Sequence, residues 1–455
     1  MMHRRWMGIA AVAAAAALAL TACGSTPAGS GGGADYSAKP SGTLKAWAFD
    51  NADDVGKARL AYAAKQLKGV KVDLDATAFD AQKFTTRLAS GNVPDVVQMD
   101  RQFVTQYAAQ GLIKPLNACF SAHNVNEKTW WYGNVIDDVT YQNQVWAVPQ
   151  FYQPPAILLN MKALNAAGVT PDQIDTSKPD ELLAAIGKLY TESGGVPTRL
   201  GFDPVATGQT GLWILGQGGK LADSNGKPTL DNPANVKGIE LLKKIVDAQG
   251  GFAKVKSFSD AFDSFGDKNQ FVTDQVAAQV DAQWYPNVLS PYLSKIDLQA
   301  VPFKDASGKP FSVAGGTSFV IPAGAKNPDA ACAWMVALTS RDAWMAAGQA
   351  RADTIKTKGG ANTGLFTGSP SPDKQIRSEW VKPTGNKGFD QVISTYYDVV
   401  GYGTTFGSSP AGQTIQSELV NAVTAALLGQ KTPQAALKDA QAAAMQAYQQ
   451  ATKKK

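Results

Sequence analysis

From Gly42 onward the chain switches repeatedly between a two-residue and a 3.6-residue hydrophobic period. Thr43–Phe49 is extended and ends at Asp50-Asn51. A helical pattern follows over Ala52–Lys68, and Val70, Val72 and Leu74 then alternate as a second strand. Asp80 has the position of a helix N-cap, and that helix stops at Gly91. Pro94–Met99 is a third strand, followed by a helix over Arg101–Gln110 that Gly111 ends. This βαβαβα order predicts a parallel sheet with helices on its faces. Ligands of such sheets bind beyond the carboxyl ends of the strands. Those ends fall at Trp47–Asn51, Asp75–Thr77 and Met99–Arg101.

Tyr141–Asn160 is extended but bent. Its Pro154-Pro155 pair excludes helix and central-strand pairing at that point, so the segment reads as a crossover between two lobes. Helices near Asp180–Tyr190 and Pro233–Gln249 follow, the second with Val236, Ile239, Leu242 and Val246 on one face. Val276–Trp284 reads as a strand, Leu298–Pro302 as a return crossover and Gly315–Ile321 as a further strand. Asn327-Pro328 opens a helix as N-cap and first residue. Lys356–Asp373, rich in Gly, Ser, Thr and Pro, reads as loop. Thr432-Pro433 opens the terminal helix, and no internal repeat is present.

Apolar residues make up 44% and charged residues 18% of the chain, the balance of a globular protein. The length beyond Gly42 suits two lobes better than one core. Residues 1–22 have the basic start, apolar run and small residues of a secretory signal, and the run is too short for a permanent membrane span. Losing Arg4 and Arg5 with that signal lowers the formal charge from +5 to +3, and Lys453-Lys454-Lys455 accounts for what remains. A near-neutral body offers nothing to nucleic acid. Cys119 and Cys332 read as two buried free thiols, although an oxidising exterior would let them pair. His3 leaves with the signal, so His123 is the one histidine that remains.

The ending Leu20-Thr21-Ala22-Cys23 resembles the lipobox of bacterial lipoproteins, in which the cysteine becomes the lipidated N-terminus. The Gly/Ser/Ala/Pro-rich residues up to Ser41 then form a flexible tether. Downstream, seven segments come in order: Gly42–Asp50, Gly91–Val97, Tyr107–Leu116, Val145–Asn160, Asp274–Trp284, Gly315–Ser340 and Thr432–Gln441. Together they resemble the extracellular solute-binding proteins of ABC importers, in the maltose-binding-like, family 1 carbohydrate branch. Leu159-Asn160 and Pro179-Asp180-Glu181-Leu182 depart from that pattern, where Tyr-Asn and Trp-Asp-Glu-Leu are usual.

The resemblance implies an α/β, two-lobed periplasmic-binding-protein-like fold of the class II type. Each lobe would be a mostly parallel sheet flanked by helices, with a hinge between them. On that pattern the N-terminal lobe is 42–150 plus 297–340 and the C-terminal lobe is 151–296 plus 341–455. It implies a monomer without cofactor or metal, and not an enzyme, held by lipid on the outer face of the bacterial cytoplasmic membrane. Its partners would be a small carbohydrate and the permease subunits of an importer.

The candidate ligand contacts combine carboxylates and amides, which bind hydroxyl pairs, with aromatics, which cover apolar sugar faces. Trp47, Asp50 and Asn51 sit at the end of the first strand; a core tryptophan and a helix cap are the competing reading. Asp100 and Arg101 follow the third strand, against the alternative of a surface ion pair. Phe151, Tyr152 and Gln153 lie on the crossover, where core packing of Phe151 is the rival. Trp284 and Tyr285 follow a strand and resemble the stacking aromatics of the family, with hinge packing as the alternative. Trp213 is a second platform or a loop anchor. Gly316 and Thr317 admit ligand close to backbone, or simply pack tightly.

Two other readings stay open. A secreted glycoside hydrolase needs only two carboxylates, and such pairs are too common to exclude. A lone mature histidine does exclude a two-histidine metal site, and neither a Gly-x-Ser-x-Gly elbow nor a Walker-type loop is present. The same fold could instead bind a peptide, polyamine or phosphorylated polyol. A phosphate calls for a basic cleft, and Arg101 is the one cation among the candidates.

Overall fold

The computed structural model describes residues 36, 39–49, 53–204, 210–313 and 315–453. Two sheets organise it. The first contains β1 (Gly42–Trp47), β2 (Val70–Asp75), β3 (Val96–Asp100), β4 (Val148–Gln150) and a late strand, Thr317–Val320. Their order is β2-β1-β3, then Thr317–Val320, then β4. The β1–β2 and β1–β3 pairs are parallel, as the alternating pattern predicts, and Thr317–Val320 runs antiparallel to both of its neighbours. Val96, Val97, Gln98 and Met99 are all buried because helices cover both faces of this sheet.

The second sheet has β5 (Pro155–Asn160) at its centre, flanked by β6 (Ala278–Ala282) and β7 (Leu298–Val301). Both pairings are antiparallel, against the expectation of a mostly parallel sheet in each lobe. The reason lies in the connections, since β6 and β7 each run back alongside β5. Parallel contacts occur here as isolated bridges, Leu200 with Val276 and Asp203 with Gln279. Residues 298–301 therefore hydrogen-bond into the second sheet, so a first-lobe segment beginning at 297 is corrected at this strand. The chain crosses between the sheets at 151–154 and again at 302–316, and the crossings bring Phe151 and Thr317 to the same place.

Local sequence sets the helix starts. Helix α1 (Asp54–Gln66) is capped by Asp53, whose side chain accepts from Gly56 N–H. Helix α2 (Ala81–Ala89) is capped by Asp80, and Pro328–Thr339 by Asn327, both as the sequence predicts. The next helix, Arg341–Lys358, runs into the segment read as loop, and Pro370 opens another helix at 370–380. Proline there supplies a helical first turn rather than a break. Trp344 and Ala347 of Arg341–Lys358 pack with Val55 of α1 in one apolar cluster, so this helix lies against the first lobe's α1 although the sequence division gave it to the second lobe.

Cys119 and Cys332 form a disulfide with Cα atoms 5.8 Å apart, which corrects the reading of two free thiols. The helix holding Cys119 packs on Pro328–Thr339 across 213 residues of sequence, a proximity invisible in spacing.

Candidate functional site

A cleft of about 1190 Å³ opens where the ends of the first sheet face the second. Its floor is Gln98, Asp100 and Thr317, placed by register: Thr317 pairs with Asp100 on one side and Gln150 on the other. Phe151 and Gln153 come from the first crossing, and Gln153 N–H donates to Gly315 O at 2.8 Å. The first lobe adds Phe79, Asp80 and Phe103, and Phe79 and Phe103 lie 5.5 Å apart between ring centroids.

The opposite wall carries Phe265, Gln283, Trp284 and Asn287. Phe265 and Trp284 stack nearly parallel, at 9° and 5.9 Å. They are 71% and 38% exposed, and among the other described aromatics only Tyr402 is exposed to a similar degree. Two stacked rings left open to water form an apolar platform of the kind that marks a binding surface. Beside them the Oε1 of Gln283 and the Oδ1 of Asn287 are buried acceptors with no partner among the described residues.

Among the described residues one cation, Arg351, lines the cleft, and it is already held. Its Nε and Nη2 donate to the two carboxylate oxygens of Asp54 at 2.8 Å, and Nη2 also reaches Asp53 at 3.0 Å. Burial alone would push the Asp54 carboxyl up, but the Arg351 bonds outweigh it and hold it below the ordinary carboxylate range. The other polar residues that line the cleft are acidic or amide-bearing: Asp80, Asp100, Gln98, Gln153, Gln283 and Asn287.

Of the residues singled out in the sequence, Asp100, Phe151, Gln153, Trp284 and Thr317 line this cleft together. Others lie behind it. Trp47 is 1% exposed, donates to Thr77 Oγ1 at 3.1 Å and packs behind Phe79. The backbone turns to positive φ at Ala48, and it is Ala48 that faces the cleft. Arg101 is buried; its Nη1 donates to Phe151 O at 2.8 Å and its Nε faces Asp138, so it pins the crossing. Gly316 makes room for that arginine, since a Cβ there would lie 2.4 Å from Arg101 Nη1.

Tyr152 is buried, accepting from Asn134 Nδ2 and donating to Val400 O. Trp213 is buried between Phe202 and Phe303 and donates to Pro204 O. Tyr285 is buried beneath Trp284. Asp50, Asn51 and Cys23 lie outside the described residues.

Several cleft residues escaped the sequence reading. Gln98, a lone amide in the apolar run Val96–Met99, carried a legible signal. Phe265 sits among Asp, Ser and Gly with no periodicity to betray it. Arg351 meets Asp53 and Asp54 from nearly 300 residues away.

A two-sheet α/β body with a ligand-sized cleft between its sheets is the form of a solute-binding protein. The chain belongs to the bacterial extracellular solute-binding protein family, whose model matches residues 50–343. Solved structures share the fold. CpMnBP1 with mannotriose bound has a TM-score of 0.70 at 23% identity, covering 88% of this chain and 99% of that one. Lmo0181 from Listeria monocytogenes, an ABC substrate-binding protein in complex with cycloalternan, has 0.70 at 15%, covering 89% and 98%. UgpB from Mycobacterium tuberculosis, in complex with glycerophosphocholine, has 0.66 at 16%, covering 90% and 99%. No curated protein matches the sequence.

Proposed function

We propose that the protein captures a sugar or oligosaccharide between its two lobes and delivers it, unchanged, to the permease of an ABC importer. The observation that carries this reading is the exposed Trp284–Phe265 stack facing Asp100, Gln98 and Thr317 across the cleft. Sugars need both surfaces at once. Covering roughly 50 Å² of ring face contributes about 1 kcal/mol, and carboxylates and amides satisfy hydroxyls that water would otherwise solvate. Mannotriose and cycloalternan in two fold relatives agree with this class.

Glycerophosphocholine in UgpB marks the alternative of a phosphate-bearing ligand. The cleft disfavours it, because Arg351 is spent on Asp53 and Asp54 and the remaining charges are acidic. In this reading the chain works without cofactor or catalysis, as a monomer that closes about the 151–154 and 302–316 crossings when ligand bridges both lobes. Lipid on Cys23 and the tether up to Ser41 hold it at the outer face of the cytoplasmic membrane, within reach of the permease.

A melting-temperature screen tests the reading, with mannotriose, maltotetraose and glycerophosphocholine among the probes. A saccharide at about 100 times its Kd stabilises by ~2.7 kcal/mol. A shift with glycerophosphocholine and none with any saccharide contradicts the proposal, as does hydrolysis of the bound sugar.

A further inference from the structure

A second cavity, of about 550 Å³, adjoins the cleft. Phe265 and Trp284 line both, so the stacked pair is a wall that the two spaces share. The rest is built by the second lobe, from the helices Pro233–Asp247, Phe252–Ser259 and Gly412–Leu427 and the strand β6. Sequence spacing produces the lining. Val420, Val423 and Leu427 recur at i, i+3 and i+7 on one face of Gly412–Leu427, and Phe252 and Val255 share a face of Phe252–Ser259. Seven large hydrophobic side chains are exposed among the described residues, and three of them, Phe265, Trp284 and Val420, meet in this one cavity. Exposed apolar surface gathered in a concavity marks a binding site.

The polar side chains around the cavity are largely turned on one another. Lys256 Nζ pairs with both oxygens of Asp260 at 2.8 Å, and Ser259 Oγ donates to Lys256 O at 3.3 Å. Asp281 accepts from Ala282 N–H at 2.9 Å and from Gln279 Nε2 at 3.0 Å. The cleft differs, since Gln283 Oε1 and Asn287 Oδ1 there have no partner among the described residues. A sugar hydroxyl moved into the cavity gives up water for apolar walls, which is unfavourable. A hydrocarbon group moved there leaves water at a gain.

We propose that the cavity is a subsite for an apolar substituent, an aryl or alkyl group, carried by the ligand that lies in the cleft. The shared wall supplies the connection, because a sugar stacked on Trp284 and Phe265 stands beside the cavity and one molecule can occupy both. The volume falls within the roughly 300–1,000 Å³ that small-molecule sites span. A protein partner is the lesser fit, because interfaces of that kind cover about 800 Å² per partner and this surface is a hollow. That the substituent is borne by a sugar rests on the proposed function; the apolar character of the cavity does not.

Calorimetry with methyl and hexyl mannosides and maltosides, below their micelle concentrations, tests the proposal. The hexyl glycoside should bind at least tenfold more tightly than the methyl glycoside of the same sugar. Two variants locate the gain. Val420→Glu puts a charge at the cavity wall, and Thr424→Trp fills the cavity from an exposed helix position. Both should bring the hexyl Kd to within threefold of the methyl Kd, with the methyl Kd and the melting temperature unchanged. A wild-type advantage below tenfold, or one that survives in both variants, overturns the proposal.

Should no methyl or hexyl glycoside bind the wild type, the sugar reading falls, and the cavity is judged with a neutral apolar fluorophore, N-phenyl-1-naphthylamine. Its emission should rise saturably on the wild type and fail to do so on Thr424→Trp. No saturable rise on the wild type, or an equal rise on both proteins, overturns the subsite.

Discussion

The phenol of Tyr285 donates to the carbonyl of Ser264 at 3.1 Å, and this one bond ties together the two segments that carry the aromatic platform. Trp284 precedes Tyr285, and Phe265 follows Ser264. The same oxygen accepts from Asn269 Nδ2 and Gln270 Nε2, each at 2.7 Å, so the platform is held from behind by a buried hub. Tyr285→Phe keeps the ring and removes the hub. Asn269 and Gln270 keep their bonds to Ser264 O and Gln279 Oε1, so one N–H of each is left unmet at a cost of about 1–3 kcal/mol, and Ser264 loses its bond to the Trp284 segment. The expected outcome is a lower melting temperature together with weaker saccharide binding, read by thermal scan and calorimetry.

Trp284 and Trp213 should part company when each becomes alanine. Trp284 is 38% exposed, so its loss should barely move the ligand-free melting temperature while abolishing the shift on adding saccharide. Trp213 is buried between two phenylalanines, and removing it should cost about 3–5 kcal/mol of stability. Equal losses of stability in the two variants would place Trp284 in the core.

Reduction should weaken the fold. The Cys119–Cys332 bond closes a loop of 213 residues, and native disulfides are typically worth 2–5 kcal/mol. A thermal scan with and without dithiothreitol, and of the Cys119→Ser, Cys332→Ser double variant, should show matching decreases in melting temperature.

Asp373 makes stability depend on pH. Burial pushes its carboxyl up to about 7, although Thr367 N–H and Oγ1 both donate to Oδ1 at 2.7 Å. A raised carboxylate pKa means the folded state holds a proton that the unfolded chain has released. Its contribution is intact near pH 4 and is lost as pH rises toward 7, by about 1.4 kcal/mol for each pKa unit. Asp373→Asn keeps the acceptor and removes the titration. Its melting temperature relative to wild type should climb between pH 4 and pH 8. A constant difference across that range would contradict the assignment. The consequence reaches the cleft, because Asp373 anchors Thr367 and residues 363–366 line the site.

Much of the first lobe was legible in the chain because β1, β2 and the strand Thr317–Val320 are each followed by a helix with a side-chain N-cap. Asp80 and Asn327 announced their helices by local chemistry that the fold does not override. The direction of β6 and β7 was not legible, since a short apolar strand reads alike in either orientation. The site divided along the same line. Asp100 stands at the carboxyl end of a parallel-sheet strand, where that topology points to a ligand, whereas Trp284 follows β6 and Thr317 opens a strand antiparallel to β3. Trp47 and Trp213 looked equally suited by composition, and only packing distances separate a platform from a core ring. Tyr285 occupies a strand end as well, but its oxygen is drawn inward by Asn269 and Gln270.

A crystal structure with the saccharide returned by the melting screen tests the central claim most directly. The ring face of one sugar unit should lie on the Trp284–Phe265 pair, with its hydroxyls within hydrogen-bond distance of Asp100 and of Gln98 or Thr317. Density for the sugar outside this cleft, or within it but away from both rings, would contradict the account.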